Sequence, residues 1–135
     1  METNIHRQEL LDIYAERPNY GKLVKKTHTA TLKNPVCDDV IEIELEVENG
    51  RIVNAGFTGG SCLISVVSSC VLLEKVKGMK VEDVLKLEKK DLDRFLGINV
   101  IPTRIRCELL SLDALKEALN EKSPKRGRFE EALKK

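Results

Sequence analysis

The sequence predicts an α+β fold: a three-stranded antiparallel sheet packed against several helices. Three observations carry that expectation. Residues 41–48 alternate strictly between apolar and acidic side chains, Asn49-Gly50 marks a hairpin, and nearly everything after Gly60 reads as helix. Strands first and helices after favour α+β layering over a parallel doubly wound sheet.

The elements follow in order. Residues 5–16 read as a first helix with Ile5, Leu10, Ile13 and Tyr14 as apolar contacts, broken by Pro18, Asn19 and Gly21. A first strand is expected over about 23–33. In the next, Ile41, Ile43, Leu45 and Val47 alternate with Glu42, Glu44, Glu46 and Glu48, the pattern of a half-buried strand with one solvated face. Asn49-Gly50 suits a two-residue turn, and the return strand should put Val53, Ala55 and Phe57 on one face. Residues 61–77 are apolar and end at Gly78, a suitable C-cap. Short helices are expected over 81–86 and about 89–96, the latter with Asp91 near its start. Residues 103–121 form an amphipathic helix whose buried face holds Leu110, Ala114, Leu115, Ala118 and Leu119. Residues 1–122 make one domain; Ser123-Pro124-Lys125-Arg126-Gly127 is a linker, and 128–135 a short helical tail.

The chain has 135 residues, enough for one domain with a core that needs no disulfides. Hydrophobic residues are 41% and charged residues 33%, which indicates a globular chain. A net charge of +1 gives no electrostatic case for binding nucleic acid or a membrane. No stretch approaches transmembrane length, and the first residues are charged throughout, with no apolar signal core. The expected compartment is the cytoplasm. There, four cysteines read as ligands, nucleophiles or core fillers before disulfide partners.

Three of those cysteines sit at element ends. Cys37 lies in a turn between the first two strands, Cys62 opens the long apolar helix after Gly59-Gly60-Ser61, and Cys107 lies in the first turns of the last long helix. Helix N-termini offer free N–H groups and partial positive charge to an anionic ligand. Asp39, two residues after Cys37, can present an oxygen beside that sulfur, with Asp38 as a rival donor. Three thiolates and a carboxylate would close a tetrahedral zinc site or hold an iron–sulfur cluster. Spacing alone leaves inert core cysteines open, because there is no C-x-x-C and the intervals match no zinc finger.

At these residues the chain resembles the U-type iron–sulfur cluster assembly scaffold family (IscU, SufU and the N-terminal domain of NifU). Asn34-Pro35-Val36-Cys37-Asp38-Asp39 resembles the family's N-P-x-C-G-D, and the run from Phe57 through Cys62 to Ser65 resembles F-x-G-x-G-C-x-I-S. Pro102-Thr103-Arg104-Ile105-Arg106-Cys107 resembles P-x-R-[IV]-[KR]-C, and Asp12-Ile13-Tyr14 with Asn19 and Gly21 resembles D-H-Y…N-x-G. The resemblance implies a scaffold more than an enzyme. Cys37, Asp39, Cys62 and Cys107 would transiently hold a [2Fe–2S] cluster. Sulfur would come from a pyridoxal-phosphate cysteine desulfurase, and apo iron–sulfur proteins would accept the product. It equally implies an alternative, a zinc-dependent sulfurtransferase that takes persulfide and activates its desulfurase. A non-catalytic domain with a structural zinc is a second alternative. Cys107 is the candidate persulfide acceptor in the first reading and Cys37 in the second. The chain departs from the family pattern at Asp38 and Ser61, which replace glycines, and at Arg106, which replaces the histidine of IscU-type members as SufU does. It also lacks the SufU insertion between Cys62 and Cys107, and has Asn99-Val100-Ile101-Pro102-Thr103 where IscU carries L-P-P-V-K.

The remaining residues have plainer readings. Cys70 falls between Val67 and Val71 and reads as core. His28 lies in a polar strand as a solvated or hydrogen-bonded side chain, and His6 is near a terminus. The Glu42 to Glu48 row reads as a solvated strand face.

Overall fold

The computed structural model describes residues 7–34, 39–60, 62–97 and 105–120. Its elements are α1 (Arg7–Glu16), β1 (His28–Asn34), β2 (Asp39–Glu48), β3 (Arg51–Gly59), α2 (Leu63–Val76), α3 (Val81–Val84), α4 (Lys89–Leu96) and α5 (Ile105–Leu119). The three strands form an antiparallel sheet in the order β1-β2-β3. α5 packs across β1 and β2, and α2 packs against β3 and α5. This is the α+β architecture expected from the sequence. The readings on Ile5, on residues 103–104, and on the linker and tail from 121 onward lie outside the described residues.

The apolar stripe of β2 supplies the floor of the core. Ile41, Ile43 and Leu45 are wholly buried, beneath Leu72, Leu73, Leu115 and Leu119 of the two long helices. All five residues expected on the buried face of α5 are buried. Cys70 lies in this core at 1% exposure, as its neighbours indicated.

β3 departs from the expected pattern. The pairing shifts between Glu46, which faces Asn54, and Val47, which faces Ile52. Val53 is therefore an extra residue on β3, and the bulge reverses the parity of the strand's first residues. Ile52 enters the core fully buried while Val53 is 47% exposed; Ala55 and Phe57 keep their inward places.

The larger correction concerns residues 17–27. They form an irregular strap across the sheet instead of the start of β1. Asn19 and Gly21 have positive φ, and the strap clips onto the free edge of β3. The Phe57 amide donates to the Asn19 carbonyl at 3.0 Å, and the Gly21 amide donates to the Phe57 carbonyl at 2.7 Å. Gly56 makes room for this, since a Cβ there would stand 2.6 Å from the Gly21 carbonyl oxygen.

The strap then runs over the acidic face of β2. Lys22 reaches Glu42 at 3.1 Å, Lys26 reaches Glu44 at 3.1 Å, and Lys25 lies 3.8 Å from Glu46 and 3.7 Å from Glu48. The Leu23 amide donates to Glu44 at 2.8 Å. The expected solvated face is therefore partly covered, and Glu44 is only 3% exposed. Burial pushes its carboxyl up, but the Leu23 amide and the Lys26 and Lys22 ammonium groups outweigh that and hold it below its ordinary value.

Candidate metal centre

Two glycines steer the chain into the site. At the end of β3, Gly59 and Gly60 have φ of +94° and +87°. A Cβ at Gly59 would run into the Val40 carbonyl, and the Gly60 amide donates to that same carbonyl at 2.8 Å. The turn therefore folds back over the start of β2. Only glycine adopts such a backbone without strain. The chain after it reaches Cys62 close to Asp39, the first residue of β2.

Cys62 caps α2. Its backbone is extended, and its Sγ accepts from the Ser65 amide at 3.4 Å. In return the Cys62 amide donates to Ser65 Oγ at 3.4 Å, completing a capping box. The same Sγ stands 3.9 Å from Asp39 Oδ2. Cys107 is the third residue of α5 and 2% exposed. One donor atom each from Asp39, Cys62 and Cys107 can be chosen so that all lie within 4.8 Å of one another. Asp39 is 1% exposed, and neither cysteine is in a disulfide among the described residues.

The donor chemistry fits a zinc ion or cluster iron. Ligands about 2.0–2.3 Å from a tetrahedral ion stand about 3.3–3.8 Å apart, so binding requires a contraction of no more than about 1.5 Å. Cys37 and Asp38 lie outside the described residues. Arg106 is exposed at the mouth of α5. Burial pushes the Cys70 thiol up to about 12, in keeping with a core filler. His28 Nδ1 pairs with Thr27 Oγ1 at 2.8 Å. A separate hollow of about 630 Å³, lined by residues including Leu32, Val81, Leu85 and Leu119, contains none of these donors.

Two further residues emerge from the structure. Ser65 is wholly buried and holds both the amide and the sulfur of Cys62. Its place three residues after an N-cap was the available signal. Glu108 is also wholly buried, next to Cys107. Positions 108, 112, 115 and 119 make one helical stripe, so a carboxylate heads a row of leucines. Burial, reinforced by the neighbouring Asp93, pushes Glu108 up to about 8.

No helix among the described residues is long and apolar enough to cross a membrane. The family model for the NifU-like N terminal domain matches residues 5–128. The chain is 32% identical over 119 residues to the iron–sulfur cluster assembly enzyme IscU of Drosophila melanogaster, covering 85% of this chain and 76% of that protein. It is 30% identical over 125 residues to the iron–sulfur cluster assembly scaffold protein IscU of Rickettsia prowazekii, covering 90% and 94%. The fold matches the N-terminal part of a nitrogen-fixing NifU-like protein from Brucella abortus with a TM-score of 0.70 at 16% identity, over 89% of this chain and 96% of that one. By its match along most of its length, the chain belongs to the NifU-like N terminal domain family.

Proposed function

We propose that the protein is an iron–sulfur cluster assembly scaffold whose Cys37, Asp39, Cys62 and Cys107 hold a [2Fe–2S] cluster as cargo. The observation that carries the reading is the convergence of Asp39, Cys62 and Cys107 within 4.8 Å, from three separate elements. It is supported by relatives that bear the scaffold name. A carboxylate among thiolates is a harder donor than cysteine, which suits a cluster meant to leave. Sulfur comes from a cysteine desulfurase as its persulfide. A scaffold thiolate, Cys107 first, attacks the outer sulfur; the donor's S–S bond breaks and its cysteine departs as thiolate. Reduction of the transferred sulfur to sulfide takes two electrons from an external thiol or electron-transfer partner. Apo iron–sulfur proteins in the cytoplasm receive the product.

Arg106, which stands where IscU-type members carry histidine and so resembles SufU, favours a second reading. In it the same four residues hold zinc, and Cys37 accepts persulfide while the protein accelerates its desulfurase. Metal and sulfide analysis of protein purified without oxygen separates the two. Equal iron and acid-labile sulfide with visible absorption support the scaffold. Stoichiometric zinc with a faster desulfurase supports the transferase. Unfolding on metal removal indicates a structural zinc. A protein that takes up neither metal under any of these conditions contradicts both readings.

A further inference from the structure

Glu108 has an address that its burial alone does not explain. Both carboxyl oxygens are shut away from solvent and accept no hydrogen bond among the described residues. The nearby charges come from α4: Lys89 Nζ stands 3.9 Å from Glu108 Oε1, and Asp93 is close enough to push the Glu108 carboxyl up. Lys89 in turn donates to Asp93 Oδ2 at 2.7 Å, while Asp93 Oδ1 accepts no hydrogen bond among the described residues. Lys89, Asp93 and Glu108 thus form a small polar cluster between α4 and the first turn of α5. An apolar residue of similar volume would fill position 108 at equal or lower cost, since buried ionic groups are often neutral or unfavourable for stability.

What the cluster does hold is orientation. The first turn of a helix has amides without intrahelical partners, so contacts outside the helix help to set its placement. Cys107 sits in that turn. Its neighbour Glu108 projects about 100° round the helix and grips α4. α4 is itself fixed by the Glu88–Asp91 capping box and by Gly97 at its C-terminus.

We propose that Glu108 is a positioning residue: through Lys89 and Asp93 it sets the rotation of the first turn of α5 and so aims Cys107 Sγ at Asp39 and Cys62. The proposal rests on reading those three residues as a ligand set. Cobalt(II) serves as the probe, titrated without oxygen into the full-length apoprotein and followed by thiolate-to-cobalt absorption, with thermal unfolding measured alongside. Glu108→Leu should unfold at the same temperature or higher yet bind cobalt about 10–100-fold more weakly, with displaced thiolate bands. Glu108→Gln keeps the shape and a polar group beside Lys89 and Asp93, so it should bind within a few-fold of the parent. Asp93→Ala removes the α4 side of the grip without touching α5, and should weaken cobalt binding as Glu108→Leu does. It carries the test should Glu108→Leu not fold. Cobalt binding by Glu108→Leu and Asp93→Ala within about threefold of the parent, with unchanged bands, overturns the positioning role alone. A parent that binds no cobalt, or binds it equally after Cys107→Ala, overturns the ligand set and the positioning role with it.

Discussion

Cys62 accepts the Ser65 amide and stands 3.9 Å from Asp39, so one sulfur caps a helix and faces the donor cluster. Substitution separates the two roles. Cys62→Ala should lower the apoprotein's stability by about 0.5–1 kcal/mol through the lost cap, and Cys62→Ser should recover it. Both should lose most cobalt affinity, because neither supplies a thiolate. Urea unfolding and cobalt titration on the same samples check this. Gly59→Ala tests the turn that delivers Cys62: positive φ and the Val40 carbonyl together should cost about 2 kcal/mol or more. Cys62 and Cys107 were legible in the sequence because glycines and a new helical period mark element ends. Ser65 and Glu108 were hidden because periodicity reports which face is buried, not which polar side chain is carried inward with it.

At the scale of elements, the strap over residues 17–27 shows where pattern reading stops. The alternation in β2 correctly identified the core face, yet it is silent on what covers the other. The cover is built from backbone bonds and scattered lysines, which have no period. Glu44 makes its contribution measurable. Its folded carboxyl titrates below its ordinary value near 4.5. The stabilisation is therefore fully present above that value and is lost as the pH falls through the lower folded one. Glu44→Gln should cost about 1–2 kcal/mol at neutral pH, and the difference from the parent should vanish as the pH falls through the lowered folded value. Urea unfolding across that range reads it. A difference that persists in acid would contradict the charge-based account of the strap. The bulge at Val53 is a second such limit. It moves Ile52 into the core and Val53 out, and nothing in the residue types forces it.

On the scale of the whole molecule, the site is a product of the fold. Its described donors come from β2, the start of α2 and the start of α5, so their spacing depends on how the two long helices sit on the sheet. Leu115 is wholly buried in that packing. Leu115→Ala should cost about 2–5 kcal/mol and should weaken cobalt binding in step with stability, unlike Glu108→Leu, which should separate them. The layer order was legible from the chain because strands and helices are segregated along it. The meeting of the donors was legible only in part: separations of tens of residues carry no local signal, places at element ends left convergence open, and the resemblance to the U-type family pointed to it. The scaffold reading stands most directly on one measurement: anaerobic incubation with iron, cysteine and a cysteine desulfurase, followed by visible spectroscopy and transfer to an apo iron–sulfur acceptor. The account predicts a cluster spectrum that decays as the acceptor gains activity and that is absent after Cys37→Ala, Cys62→Ala or Cys107→Ala. A colourless parent, or a spectrum indifferent to all three substitutions, would contradict it.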